Sequence, residues 1–137
     1  MTPNSLSPEF FWLTLTVILT GLMWVPYILN RLTEQSPLFV LRDPQGKTHT
    51  EVRWAERMMR AHQNAVENLV LFAPLVIMLQ LNHLTNGLTA TACMVYFYAR
   101  LAHFLVFSVG LPWLRIPVFA VAFTALVVLA LRLLQWV

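Results

Sequence analysis

Residues Phe10 to Leu29, "FFWLTLTVILTGLMWVPYIL", carry no charge and are long enough to cross a hydrocarbon core of about 30 Å. Ahead of them, Ser7-Pro8-Glu9 combines a capping hydroxyl, a first-turn proline and an acid at the positive end of a helix dipole. Pro26 is expected to kink the last turn, which a packed bundle tolerates. The stretch "LTEQSPLFVLRDPQGKTH" then brings two prolines, a glycine and mixed charges, and reads as a loop. Thr48 and Glu51 stand at capping-box spacing, so a second helix is predicted to start near Thr48 to Thr50. It continues to about Leu81, too far for a simple crossing, so its first turns should project from the lipid. After "NHLTNG" a third apolar run ends near Ser108, and a fourth follows Pro112. The membrane-embedded stretches are expected at about 10–30, 60–81, 88–108 and 113–136, with one large loop over about 31–50.

Composition turns these four runs into a class. Of the 137 residues, 58% are hydrophobic and 11% charged, and the mean hydropathy is +0.66. A soluble domain carries about 25% charge, so the expected fold is an all-α, integral membrane four-helix bundle in a single domain. Arg31, Arg42, Lys47, Arg53, Arg57 and Arg60, six of the nine basic residues, lie between the first and second spans. The positive-inside rule therefore places the large loop in the cytoplasm and both termini on the opposite side. Arg115, at the head of the fourth span, falls on the same side as the loop. The small net charge of +3, gathered in that loop, suits contact with anionic lipid and argues against a nucleic-acid partner. Trp12, Trp24, Trp113 and Trp136 sit near span ends, as interfacial anchors do. Cys93 lies inside an apolar run and reads as a small packing residue. No basic residue precedes the first span, which reads as a retained helix rather than a cleaved signal.

Polar residues inside the apolar runs carry the candidate chemistry. In "RMMRAHQNAVENL", Arg53, Arg57, Arg60, Asn64 and Glu67 step by four, three, four and three, and so share one helix face. Glu56, four residues before Arg60, can pair with it. Arg53 and Arg57 suit a solvated basic face as well as a site. An unpaired Glu67 facing lipid would cost several kcal/mol, and Arg100 on the third span offers it a partner at similar depth. Tyr96, Arg100, His103 and Phe107 again share one face. A Glu67–Arg100 ion pair is expected, either as a structural clasp or as part of a site. Arginines and an amide around a carboxylate suit a small zwitterionic or anionic ligand. No HExxH, glycine-rich phosphate loop or GxSxG occurs. His62 and His103 with Glu67 match no metal-ligand spacing, and no metal is expected; His49 and His83 read as loop histidines.

"RMMRAHQNAVENLVLFAPL" resembles the second-helix signature of the MAPEG family, the membrane-associated proteins of eicosanoid and glutathione metabolism. That signature is Arg-Ala-His/Gln-x-Asn-x-x-Glu before an apolar run, and "ARLAHF" is similar to the family's third-helix element. The resemblance spans nearly the whole chain. It implies a four-helix protomer, a homotrimer, and glutathione as co-substrate at subunit boundaries near the cytoplasmic side. Carried over by position, it implies that Arg60, Asn64 and Glu67 contact glutathione or shape its site. Arg100 matches the arginine paired with that glutamate, His103 a His/Tyr contact, and Arg31 a first-helix arginine. Phe107, Phe119 and Phe123 stand where the family places a tyrosine, the thiolate-stabilising arginine and a second tyrosine. Arg115 lies one turn before Phe119, about 6 Å along the axis, and is the substitute catalytic cation.

These features imply a glutathione-dependent membrane transferase or peroxidase for lipophilic electrophiles delivered by the bilayer. The alternative is a non-catalytic membrane binding or interaction protein that keeps the fold and has lost the thiolate-activating residues. A transporter built on Glu67 and Arg100 has neither a broken helix nor an internal repeat behind it.

Overall fold

Capping chemistry and proline positions set the helix boundaries. The computed structural model describes residues 5–42 and 50–137 and is helical almost throughout them. Helix α1 (Pro8–Leu22) starts where the sequence signals it, with the Ser7 hydroxyl accepting from the Phe10 amide and proline in the first turn. It is interrupted at Met23, and α2 (Trp24–Glu34) continues the run. Pro26 lacks an amide hydrogen and its ring crowds the Leu22 carbonyl, so the disturbance falls one turn before the proline. The segment expected as loop from residue 31 is partly helical: α2 carries Arg31, and α3 (Pro37–Arg42) follows. Helix α4 (Arg53–Leu81) begins later than its capping-box spacing suggested, with Val52 at the N-cap and the Thr50 hydroxyl accepting from the Val52 amide. Thr48 and Lys47 lie outside the described residues. Helices α5 (Gly87–Val109) and α6 (Pro112–Leu133) complete the chain.

Four runs are long and apolar enough to cross a membrane: Pro8–Glu34, Arg53–Leu81, Gly87–Val109 and Pro112–Leu133. At about 1.5 Å per residue α4 is about 44 Å long, more than a bilayer core, and its arginine-bearing turns extend past it. The helices form one antiparallel bundle. Helix α5 is its axis, packing on α1, α4 and α6. Phe72, Val76 and Leu79 of α4 meet Ala92, Cys93, Tyr96 and Ala99 of α5 and Ala122, Ala125, Leu126 and Leu129 of α6. The alanines let the α5 and α6 backbones approach closely, the packing that replaces a hydrophobic driving force in lipid. The Phe72 and Tyr96 rings stack at 3.9 Å. A second cluster of Met23, Ala61, Ala65 and Phe104 lies nearer the arginine-rich end. Outward-facing Val17, Ile18, Val70, Leu71, Leu105 and Val121 are exposed, as lipid-facing side chains are.

The end of the bundle remote from the arginine-rich turns of α4 is tied by a polar knot. Asn86 and Thr89 form a capping box at the start of α5. The Thr89 hydroxyl also donates to Glu9 Oε1 at 2.6 Å, and Ser7 donates to Gln80 Oε1 at 2.9 Å. Glu9 is almost fully buried, 3% exposed, between the first turns of α1 and α5, whose partial positive charges favour a carboxylate. Arg132 donates to the Leu84 carbonyl and holds α6 to the α4–α5 turn. Thr89→Val leaves Glu9 buried without its donor and is expected to destabilise the bundle by about 1–3 kcal/mol. Thr91, exposed on the same helix, donates to the Gly87 carbonyl of its own helix, and Thr91→Val should stay within about 0.5 kcal/mol. Unfolding in detergent, followed by circular dichroism, compares the two.

Candidate functional site

The arginine-rich end is built on the first half of α4. Arg53, Arg57, Arg60, Asn64 and Glu67 share a face in sequence, but their side chains go to different places. Arg57 turns toward α5: its Nε donates to the Ser108 carbonyl at 3.0 Å and its Nη2 to that of Val109 at 3.4 Å. These carbonyls belong to the last turn of α5, where intrahelical donors run out. Gly110 then adopts φ +88°, and a Cβ there would stand 3.0 Å from the Arg57 guanidinium. The left-handed turn favours glycine, and a side chain there would also push the Arg57 guanidinium aside. Arg60 pairs with Glu56 at 2.7 Å, as their spacing predicts. Both side chains are more than half exposed, so this pair orients Arg60 and adds little stability.

Asn64 points into the bundle. Its Oδ1 accepts from Arg100 Nη2 at 2.8 Å. Arg100 is 2% exposed, and among the described residues its Nε and Nη1 find no hydrogen-bond partner. The expected Glu67–Arg100 ion pair does not form within the chain. Glu67 lies three residues beyond Asn64, about 60° round the helix, on the exposed side, where it accepts from Gln63 at 3.2 Å. Arg100 therefore bonds an amide where a carboxylate was expected.

Tyr96 and His103 flank Arg100 on the buried face of α5, and the Tyr96 hydroxyl and His103 Nδ1 also have no partner among the described residues. Aromatic rings close over His103: Phe107 lies at 5.6 Å and Phe119 at 6.1 Å. Arg115 Cζ sits 5.6 Å from the Phe107 ring centre, a cation–π contact, and Phe119 stacks on Phe123. Phe107 and Phe119 thus pack on the histidine, Phe107 carries Arg115, and the half-exposed Phe123 extends the row from Phe119.

Two arginine-bordered grooves open at this end. One, of about 660 Å³, lies between α2 and α4 and is lined by Tyr27, Met59, Arg60, His62, Gln63 and Glu67 among others. The other, of about 300 Å³, runs between α4 and the α5–α6 elbow, with Arg57, Arg60, Phe107, Gly110, Leu111 and Arg115. Arg60 borders both. Asn64, Arg100 and His103 line neither and form the buried polar layer behind them. Arg31 is buried at the end of α2 and also lines neither. Two arrangements escape sequence reasoning. Tyr27 Oη and His62 Nδ1 are 2.8 Å apart across α2 and α4, although no spacing within either helix indicates the pair. The Arg57–Gly110 lock leaves one trace in sequence, a glycine two residues before the proline that opens α6. Among the described residues no three His, Cys, Asp or Glu side chains converge on a metal position.

Four membrane-length helices around a buried polar layer, with two cation-bordered grooves at one end, define an integral membrane bundle with a candidate polar-ligand site. The MAPEG family model matches residues 10–135, nearly the entire chain, and the protein belongs to the MAPEG family. No significant match to the chain was found among curated proteins or solved structures.

The Asn64–Arg100 bond is expected to carry measurable coupling. In a double-mutant cycle with Asn64→Ala and Arg100→Met, unfolding free energies in detergent should deviate from additivity by about 1–3 kcal/mol. Additive effects would mean that the two side chains do not stabilise each other.

Proposed function

We propose that the protein is a glutathione-dependent membrane transferase or peroxidase acting on lipophilic electrophiles drawn from the bilayer. The observation that carries this reading is the position of Arg60 in a chain of the MAPEG family: it borders one groove with Glu67 and the other with Arg115. Arg60 can fork onto a glutathione carboxylate, Glu67 can take its ammonium, and Arg115 can face its thiol. Asn64, Arg100 and His103 form the layer that holds these groups in place, and Arg31, buried at the end of α2, joins the set through its match to a first-helix arginine of the family. Glu67, exposed beside the outward Val66 and Val70, is open to a neighbouring subunit, which supports a homotrimer with sites at its subunit boundaries. The arginine-rich end faces the cytoplasm in this reading, and both termini face the other side.

The chemical task is ionisation of the thiol. A free thiol titrates near pH 8.5 and is only a few per cent thiolate at about pH 7. A guanidinium beside the sulfur favours the anion, which then adds to the electrophile or displaces its leaving group, or takes an oxygen from a peroxide as the O–O bond breaks and an alcohol leaves, the peroxide oxidising the sulfur. With Arg115 replaced by Gln, thiolate formation at neutral pH is expected to fall about tenfold, which is about one pKa unit. The activity profile should move to higher pH, because the thiol then has to be ionised by solvent base. Ultraviolet thiolate absorbance on adding glutathione, with conjugation rates across several electrophiles, measures both. Asn64→Ala, which takes from Arg100 its acceptor in the layer behind the grooves, should weaken glutathione binding and also lower the stability of the bundle, measured by titration calorimetry and unfolding in detergent.

A second reading has its own observation. Phe107 and Phe119 pack on His103, Phe107 also takes the Arg115 guanidinium, and Phe123 stands beyond Phe119, an aromatic lining that suits a non-catalytic binding protein whose activating residues are lost. Glutathione binding with no thiolate signal and no conjugation would favour it.

A further inference from the structure

The groove between α4 and the α5–α6 elbow offers more than glutathione chemistry uses: a third guanidinium, Arg57, and an exposed apolar border. We propose that it is a headgroup site for an anionic phospholipid of the adjoining leaflet. Arg57, Arg60 and Arg115 border about 300 Å³ of space, and no acidic residue among those described lines it. Each guanidinium is already held by the protein. Arg57 is fixed by the Ser108 and Val109 carbonyls and lies against Gly110, Arg60 is drawn by Glu56, and Arg115 rests over Phe107. A guanidinium carries five N–H donors, so most remain for a ligand after these contacts. Phosphate oxygens match that fork geometry, and arginines held in advance lose little freedom on binding them.

Surroundings select a lipid phosphate over a soluble one. Beside the groove, Leu111, Trp113, Leu114 and Ile116 are exposed, Trp113 to 88%. They stand at the head of a membrane-spanning helix, at the level where tryptophan and aliphatic side chains enter the headgroup–acyl boundary. A phospholipid whose phosphate sits among the three arginines can lay its glycerol and acyl chains along these side chains. A soluble phosphate leaves them uncovered. Because Arg60 and Arg115 also serve the glutathione reading, an anionic lipid here would compete with glutathione. The lipid site itself does not depend on that reading.

The full-length protein, reconstituted in nanodiscs of mixed phosphatidylglycerol and phosphatidylcholine and released into neutral detergent, is assayed for retained lipid by native mass spectrometry. Phosphatidylglycerol should be retained over phosphatidylcholine by about tenfold or more, since each arginine near a surface contributes about fivefold for an anionic lipid. Arg115→Gln and Arg57→Gln should each reduce that preference by about fivefold. Arg115→Gln leaves the Arg57 contacts to α5 untouched, so its loss does not report a damaged elbow. Arg53→Gln, exposed on α4 and outside the groove, should retain the preference. Equal retention of the two lipids, or an Arg53 variant as defective as the Arg115 variant, overturns the site. Displacement of phosphatidylglycerol by inorganic phosphate at matched concentration overturns the assignment to lipid. Thiolate formation in discs of phosphatidylcholine alone tests the glutathione reading separately.

Discussion

A guanidinium within a membrane bundle has to find hydrogen-bond acceptors inside the protein, and much of the arrangement around α5 follows from where Arg100 finds its own. Transfer of an unpaired charge into hydrocarbon costs several kcal/mol. Arg100 is 2% exposed, and Asn64 is the side chain that accepts from it. That bond fixes the register between α4 and α5 at the depth where the helices leave the apolar core of Phe72, Tyr96 and Ala99. It also decides which side chains of α4 remain outside. With Asn64 turned inward, Glu67 and Gln63 face outward on the neighbouring arc, where they bond each other. A buried Glu67 would have neutralised Arg100 and left the outer groove with Glu56, already paired to Arg60, as its carboxylate. The amide instead keeps the positive charge in the layer and the negative charge at the rim.

The same economy of donors shapes the end of α5. Its last carbonyls have no helical donors, and Arg57 supplies them from α4. Gly110 permits the guanidinium to lie across the turn, so α6 leaves the elbow in a direction that sets Arg115 over Phe107. Arg57 therefore positions Arg115 without being near it in sequence. At the opposite end, Glu9 and Thr89 tie α1 to α5 in a comparable way, with a buried acid held by one hydroxyl and two helix starts. The bundle is locked by polar contacts at both ends and packed by alanines between them.

Much of this was legible in the sequence, and the limits have a physical cause. Apolar runs of membrane length announce four crossings, and the Ser7 cap, the Glu56–Arg60 pair and the common face of Tyr96, Arg100 and His103 follow from local spacing. Motif residues around Arg60 and Arg100 marked the family that the match over residues 10–135 shows. Spacing fixes an angle around one helix but not the neighbour that occupies that angle. Asn64 and Glu67 differ by about 60°, too little for periodicity to separate and enough to exchange buried for exposed. The Tyr27–His62 and Arg57–Ser108 contacts join residues 35 and 51 positions apart, beyond any local pattern. The start of α4 at Arg53 and the interruption at Met23 show the usual latitude of caps and prolines.

The proposed division of labour at the arginine-rich end, with Arg60 and Glu67 binding glutathione and Arg115 facing its thiol, is tested most directly by a structure of the assembled protein with glutathione bound. The expected result has a carboxylate of the tripeptide on Arg60, its ammonium on Glu67 and its sulfur within hydrogen-bonding distance of the Arg115 guanidinium. A sulfur facing the Phe119 and Phe123 rings, with no cation in reach, would contradict a catalytic role for Arg115 and leave a binding protein in its place.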